Sequence, residues 1–337
     1  MHKLEDIARE LNLSIATVSR ALNKGTENLV KRETRERIFE LVKRSGFKPN
    51  IKARALAQGK LTNLILILSC TEESIFYDQY FMRLIRGIQQ KLINTEYSLV
   101  ILSVNESFTS DQIYEILLNN ETAGLILSPH CSSMRLYPVD ILKEYDIPIV
   151  NLSEEMHGRN TYNILLDHVN AGYKAAEFLY DKGYRNIVLI SDSDHMPHSE
   201  MRKEGFFRFF DEAKRAKCSL KEFDFKLSMV SGVPVLEKVL QEVKLPAVVF
   251  SLSDEIAIEM INHLPDKGLK CPDDISILGF DGLPIGAYTN PPLRSVAFPI
   301  QEVGELAAKT LVNVLKGDKG VPRVRIVQAL ITEGVSC

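Results

Sequence analysis

The chain has 337 residues, 45% hydrophobic and 25% charged, the balance of a soluble globular protein, and it is too long for one ordinary core, so two or three folding units are expected. Its longest apolar run, around 64–69, falls far short of the roughly 20 residues of a membrane span. Charged residues follow Met1 where a signal segment is apolar, so no membrane association and a cytoplasmic location are expected.

The net charge of -3 conceals an asymmetry. Residues 1–60 carry 14 Lys+Arg against 7 Asp+Glu, a net of +7, which leaves 27 against 37, a net of -10, for 61–337. One end suits phosphate and the rest repels it. The five cysteines, Cys70, Cys131, Cys218, Cys271 and Cys337, lie too far apart in sequence for a metal-ligand pair or a redox motif, so they read as reduced and mostly buried. No metal and no cofactor are expected.

The first apolar stripe, Leu4, Ile7, Ala8 and Leu11, has helical spacing and stops at Asn12. Ser14 then offers a hydroxyl to cap a second helix, which turns Val18, Ala21 and Leu22 back onto the first. Two short helices and a tight turn make a helix-turn-helix. A third helix over 31–44 points Ile38, Leu41 and Val42 inward, and Gly46 suits a left-handed C-terminal cap. The second helix leaves Ile15, Ala16, Thr17 and Arg20 outward near its N-terminus, the part of a recognition helix that meets base edges. Arg20 suits bidentate contact with guanine, and Ile15 or Ala16 suits thymine methyls. The alternative is a three-helix packing module with a solvated basic face.

The segment 50–58 follows Pro49, contains Ala53, Ala55, Leu56 and Ala57, and stops at Gly59, so it is too short to be a stable helix alone. It is either a partly ordered linker or a helix that forms when two copies pack on DNA, with Ala53 permitting close approach and Leu56 wedged into the minor groove.

From Leu64 onward β-branched runs alternate with helical stretches. NLILIL, a helix over 80–93, YSLVIL, a helix over 111–119, AGLIL and IPIVNL form one set. The second comprises helices over 169–182, 200–215, 233–243 and 255–264 with strands NIVLI, AVVF and ISILGF. Such alternation predicts βαβ units in two similar lobes around parallel sheets, with a ligand cleft beyond the strand C-termini. His195 and His198 flank Met196 and Pro197 and are read as a surface loop without a metal.

The string LEDIARELNLSIATVSRALN, followed by TRERI, FKPN and PNIKARALA, strongly resembles the headpiece and hinge of the LacI/GalR family of bacterial repressors. The resemblance continues through YFMRLIRGIQ, NAGYKAAEFLYDKGYRNIVLI, MRKEGF, PDDISILGFDG and PPLRSV. It implies an α/β two-lobed periplasmic-binding-protein-like sensor domain behind an N-terminal all-α helix-turn-helix domain. The expected division is 1–48 for DNA binding, 49–61 for hinge helix and linker, and 62–337 for effector binding and dimerisation.

In the family, residues matching Ile15, Ala16 and Arg20 read the major groove and those matching Ser14, Thr17 and Ser19 anchor phosphates. Asn23, Ala53 and Leu56 complete the expected DNA-binding set. Residues matching Arg202 and Asp281 hydrogen-bond the effector, and aromatics near Tyr80 and Phe81 approach it from the first lobe, although core packing is the alternative for one of them. Asp167 is either an effector residue or a helix cap, and Ser253 joins the effector set.

This chain departs from the family at Lys31, where a serine often caps the third helix, and at Ser253–Asp254, Asp167–His168 and Ser153–Glu154, where other pairs are common. The resemblance implies a transcription regulator, a repressor in the family's usual sense, whose homodimer binds a pseudo-palindromic site in double-stranded DNA. A sugar or sugar derivative is the expected effector, with a nucleobase or nucleoside as the alternative. A solute-binding protein would need export, and the sequence contains no phosphate-binding loop, G-x-G-x-x-G, H-E-x-x-H or serine elbow to suggest an enzyme. The chain ends soon after its last strand without leucine heptads, so a dimer is expected instead of a tetramer.

Overall fold

The computed structural model describes residues 4–22, 29–45, 61–69, 78–104, 110–129, 147–152, 155–212, 218–227 and 230–337. In the first 45 residues, helices α1 (Leu4–Glu10), α2 (Ile15–Ala21) and α3 (Arg32–Ser45) enclose Ile7, Ala8, Val18, Ala21, Ile38 and Leu41. Asn12 makes the turn between α1 and α2 with φ 53, a conformation that asparagine tolerates better than most residues. The Ser14 Oγ then accepts the Thr17 amide at 3.1 Å, closing the first turn of α2.

The larger part of the chain forms two six-stranded sheets. Strands β1 (Asn63–Ser69), β2 (Ser98–Val104), β3 (Thr122–Pro129), β4 (Ile149–Asn151) and β5 (Thr161–Leu166) belong to the first. Strands β6 (Asn186–Asp192), β7 (Ser219–Phe225), β8 (Ala247–Ser251), β9 (Ile275–Phe280) and β10 (Arg294–Ala297) belong to the second. The last two strands divide between them. β11 (Val324–Val327) joins β5 in the first sheet, and β12 (Leu330–Ile331) joins β10 in the second. Pairing is parallel throughout except between β10 and β12. The chain therefore passes between lobes three times.

The helices are α4 (Gln79–Leu92), α5 (Ser110–Asn119), α6 (His168–Asp181), α7 (Pro197–Glu212), α8 (Gly232–Glu242), α9 (Asp254–His263) and α10 (Ile300–Leu315). Two crossovers are helical, and each crossover helix packs on the first helix of the lobe it enters, α6 on α7 and α10 on α4. Glycines let both pairs touch backbone to backbone. A Cβ on Gly172 would sit 1.8 Å from the Arg202 carbonyl oxygen, and one on Gly205 would sit 1.8 Å from that of Val169. On the other pair, Gly87 and Gly304 stand in the same relation to Gln301 and Leu84. The lobes are thus built on one plan.

A single apolar cluster runs from Leu66 and Phe81 through Ala171 and Phe298 to Phe206 and Phe250, joining the lobes where the crossovers lie. Separate clusters fill the other faces of the two sheets. Several elements differ from the sequence expectation. β7 went unread because its sequence, SLKEFDF, is mostly polar and buries only Phe223, as an edge strand allows. β5 keeps Thr161 and Asn163 buried within TYNILL, where Asn163 accepts from Asn151 and from the Met156 amide. α7 begins at Pro197, a residue suited to a first helical turn, so His198 is helical while His195 remains in the preceding loop.

Candidate functional site

The outer face of α2 carries Ile15, 48% exposed, with Ser14, Ala16, Ser19 and Arg20 also exposed and Thr17 half-buried. Val18 and Ala21 are buried on the opposite face, so packing against α1 and α3 dictates which side chains α2 presents. Ser14 and Thr17 also pair with each other, their hydroxyls 2.8 Å apart. Asn23, Ala53 and Leu56 lie outside the described residues.

In the second lobe, Arg202 is held on α7 at the point where Gly172 brings α6 against its backbone, and it is only 7% exposed. Its guanidinium lies 3.6 Å above the Phe280 ring, donates through Nε to His168 Nδ1 at 3.3 Å, and reaches Leu252 O at 3.5 Å. Nη1 is 3.8 Å from Asp281 Oδ1. Burial pushes the guanidinium pKa down to about 10, opposed by Asp281, Asp192 and Asp254.

Asp281 follows the C-terminus of β9 with φ 116, a conformation that L residues rarely adopt. Its amide donates to Val296 O at 2.9 Å. Burial pushes its carboxyl up to about 6 against the pull of Arg202 and then Arg83, so at neutral pH it is an ionised acceptor beside a planar set of donors.

Asp254 was not singled out by the sequence reading, yet it braces this segment. It is fully buried, accepts the Ser295 hydroxyl at 2.7 Å and the Leu283 amide at 2.7 Å, and is pushed up by burial and by the charge of Asp281. Gly279 makes room for it, since a Cβ there would lie 2.0 Å from Asp254 Oδ1.

Asp167 caps α6, accepting the Asn170 amide at 3.0 Å through Oδ1 and Gln328 Nε2 at 3.0 Å through Oδ2, so both oxygens are engaged where the first and third crossovers meet. Ser253 precedes α9, with no cap bond from its side chain, while its carbonyl accepts the Ser251 hydroxyl at 2.8 Å. Tyr80 holds its hydroxyl 3.2 Å from Ser128 Oγ, and burial pushes its pKa up. Phe81 is 1% exposed and lies in the core beneath α4, the packing alternative for this aromatic pair.

His168, read only as a departure from the family pattern, joins Arg202 to the crossovers, since its ring stands edge-on to Phe298 at 4.9 Å. His198, expected in a surface loop, instead sits in the first turn of α7 with its ring 5.8 Å from that of His168, because Pro197 starts the helix. Among the described residues no group of His, Cys, Asp or Glu could hold a metal ion, and no helix is long and apolar enough to cross a membrane.

A three-helix unit with an outward-facing second helix, followed by two parallel-sheet lobes linked by three crossovers, defines a class of DNA-binding proteins with a sensor domain. Residues 3–50 match the bacterial regulatory proteins of the lacI family, and residues 176–337 match the periplasmic binding protein-like domain. Catabolite control protein A of Priestia megaterium is 30% identical over 92% of this chain and 91% of its own length. The chain belongs to the lacI family and is a transcriptional regulator. Two solved structures share the fold. The complex of the transcriptional regulator CelR with cellobiose has a TM-score of 0.66 and 21% identity, with all of both chains covered. The lac repressor dimer bound to operator and the anti-inducer ONPF has a TM-score of 0.66 and 17% identity, with 99% of this chain and 98% of that chain covered.

Proposed function

We propose that this regulator is a homodimeric repressor, not an enzyme, that binds a pseudo-palindromic operator and is controlled by a small polyhydroxylated effector, a sugar or sugar derivative. The observation that carries the effector class is the juxtaposition of Arg202 and Asp281 at the C-terminal end of β9. A forked donor beside an acceptor-only carboxylate suits adjacent hydroxyl groups, each of which both donates and accepts. Tyr80 supplies an aromatic edge from the first lobe, and Asp167 and Ser253 sit at the N-termini of α6 and α9. The CelR complex with cellobiose supports a sugar in this fold.

The DNA-binding role assigns 1–48 to operator recognition through Ser14, Ile15, Ala16, Thr17, Ser19, Arg20 and Asn23. It assigns 49–61 to a hinge with Ala53 and Leu56 at the minor groove, and 62–337 to sensing and dimerisation. One recognition helix per chain and two-fold symmetry require two inverted half-sites. The lac repressor dimer on its operator supports that assembly. Footprinting on fragments upstream of the regulated genes should show paired, inverted protection, and protection of an isolated half-site by a monomer overturns the dimer. A thermal-shift screen against sugars, sugar phosphates and nucleobases tests the effector, because a ligand of the native state raises the melting point. A shift from nucleobases alone overturns the sugar class.

A further inference from the structure

Arg83 lies on α4 in the first lobe, and its guanidinium reaches the second. Nη1 donates to the carbonyl of Gly282 and Nη2 to that of Asp281, each at 3.0 Å, while Nε donates to Gln79 O at 3.3 Å within its own helix. The segment it grips is divided between the lobes by its own peptide groups. The amides face the second lobe: Asp281 N donates to Val296 O at 2.9 Å, Gly282 N to Ser295 Oγ at 3.1 Å, and Leu283 N to Asp254 Oδ2 at 2.7 Å. Two carbonyls face the first lobe and meet Arg83. Asp281 precedes Gly282 in this segment with φ 116, so the backbone that Arg83 grips is held in a conformation L residues rarely adopt.

We propose that Arg83 is a positioning residue that couples the effector site to the closure of the two lobes, by bridging the carbonyls of Asp281 and Gly282 from across the cleft. The coupling, though not the bridge itself, rests on Asp281 being an effector contact. Separation of the lobes breaks two charge-assisted hydrogen bonds at once and withdraws a cation from beside the Asp281 carboxylate. The planar fork is what the site requires, because an ammonium is a point donor and does not span two carbonyls in the same way.

Arg83 also contributes charge. Burial raises the Asp281 carboxyl, Arg202 from α7 and Arg83 from α4 favour its ionised form, the amide of Asp254 at the start of α9 does the same, and the charge of Asp78 opposes it.

Charge and fork are separable by Arg83→Gln and Arg83→Lys in the full chain. Amide exchange read by mass spectrometry should rise about tenfold over 281–286 in both variants, the effect of losing a charge-assisted contact. Peptides from the headpiece and from the β6 and β8 core should remain unchanged. Carbon-detected titration of the Asp281 carboxyl should move upward in Arg83→Gln and return towards the native value in Arg83→Lys. Unchanged exchange over 281–286 in Arg83→Gln overturns the bridge, as does full restoration of protection by lysine, which would assign the effect to charge alone. Equal loss of protection across both lobes also overturns it, by making Arg83 a general stabiliser. These readouts need neither DNA nor effector. Failure of operator binding therefore bears on the regulator reading alone, and failure of these tests bears on Arg83 alone.

Discussion

At the residue scale, the second-lobe site is a buried cation whose neighbours are arranged to keep it charged. Arg202 is nearly buried, and its Phe280 face, His168 partner and Asp281 counter-charge fix one orientation of the fork. Arg202→Ala should therefore weaken effector binding by about tenfold to a hundredfold, the range for a lost charge-assisted contact, and leave operator affinity unchanged. Calorimetry with a ligand found in the thermal-shift screen reads the first effect and a mobility shift the second. The Asp281 carboxyl, raised to about 6, sets a pH dependence with a definite sign. Above that value the group is an ionised acceptor. Below it the group gains a proton and loses attraction to Arg202, so effector affinity should fall as pH drops from 7 to 5. An affinity that rises on acidification contradicts this assignment.

At the element scale, the position of Arg202 is set by helix contact as much as by its own bonds. Gly172 and Gly205 allow α6 and α7 to approach until each Cα meets the carbonyl of the other helix, and the carbonyl over Gly172 belongs to Arg202. A methyl group at either position forces the helices apart, so Gly172→Ala or Gly205→Ala should cost about 3 kcal/mol, the upper part of the range for overpacking. Chemical denaturation checks the cost, and a loss below 0.5 kcal/mol, roughly the level of an ordinary surface change, contradicts it. In the headpiece, Ser14→Ala removes the hydroxyl that accepts the Thr17 amide, which should cost about 1 kcal/mol in headpiece unfolding. The same substitution removes a proposed phosphate anchor, so operator affinity should fall by more than the folding loss accounts for.

At the scale of the whole molecule, charge is segregated along the chain, with the net of +7 confined to residues 1–60. Operator affinity should fall steeply with salt through release of counterions from DNA, and Arg20→Ala should weaken binding and relax base preference together. Titrations across a salt series that show a flat response contradict this placement of the charge. The two lobes answer different demands. The apolar cluster that runs through the crossovers joins them, and Arg83 adds a polar tie between them.

Much of this organisation was legible in the sequence because it is written in local periodicity. The 3.6-residue stripe of Leu4, Ile7, Ala8 and Leu11, the cap at Ser14 and the runs NLILIL, AVVF and ISILGF each declare an element through side chains close together in the chain. The motif around Arg202, Gly205 and Phe206 stood out through its resemblance to the family pattern and not through periodicity. Contacts made over long separations were not legible. Asp254 reads as an ordinary helix-start acid until Ser295 and Leu283 fold onto it, and Arg83 reads as one more polar-face residue of α4 until Asp281 and Gly282 arrive opposite its fork. β7 was missed because it is mostly polar and takes its place from its neighbour β6, and β5 because polar Thr161 and Asn163 interrupt its apolar residues. Local side-chain pattern determined the elements and their order, while the tertiary structure decided which lone polar groups became partners, because hydrogen bonding depends on distance in space and is blind to separation along the chain.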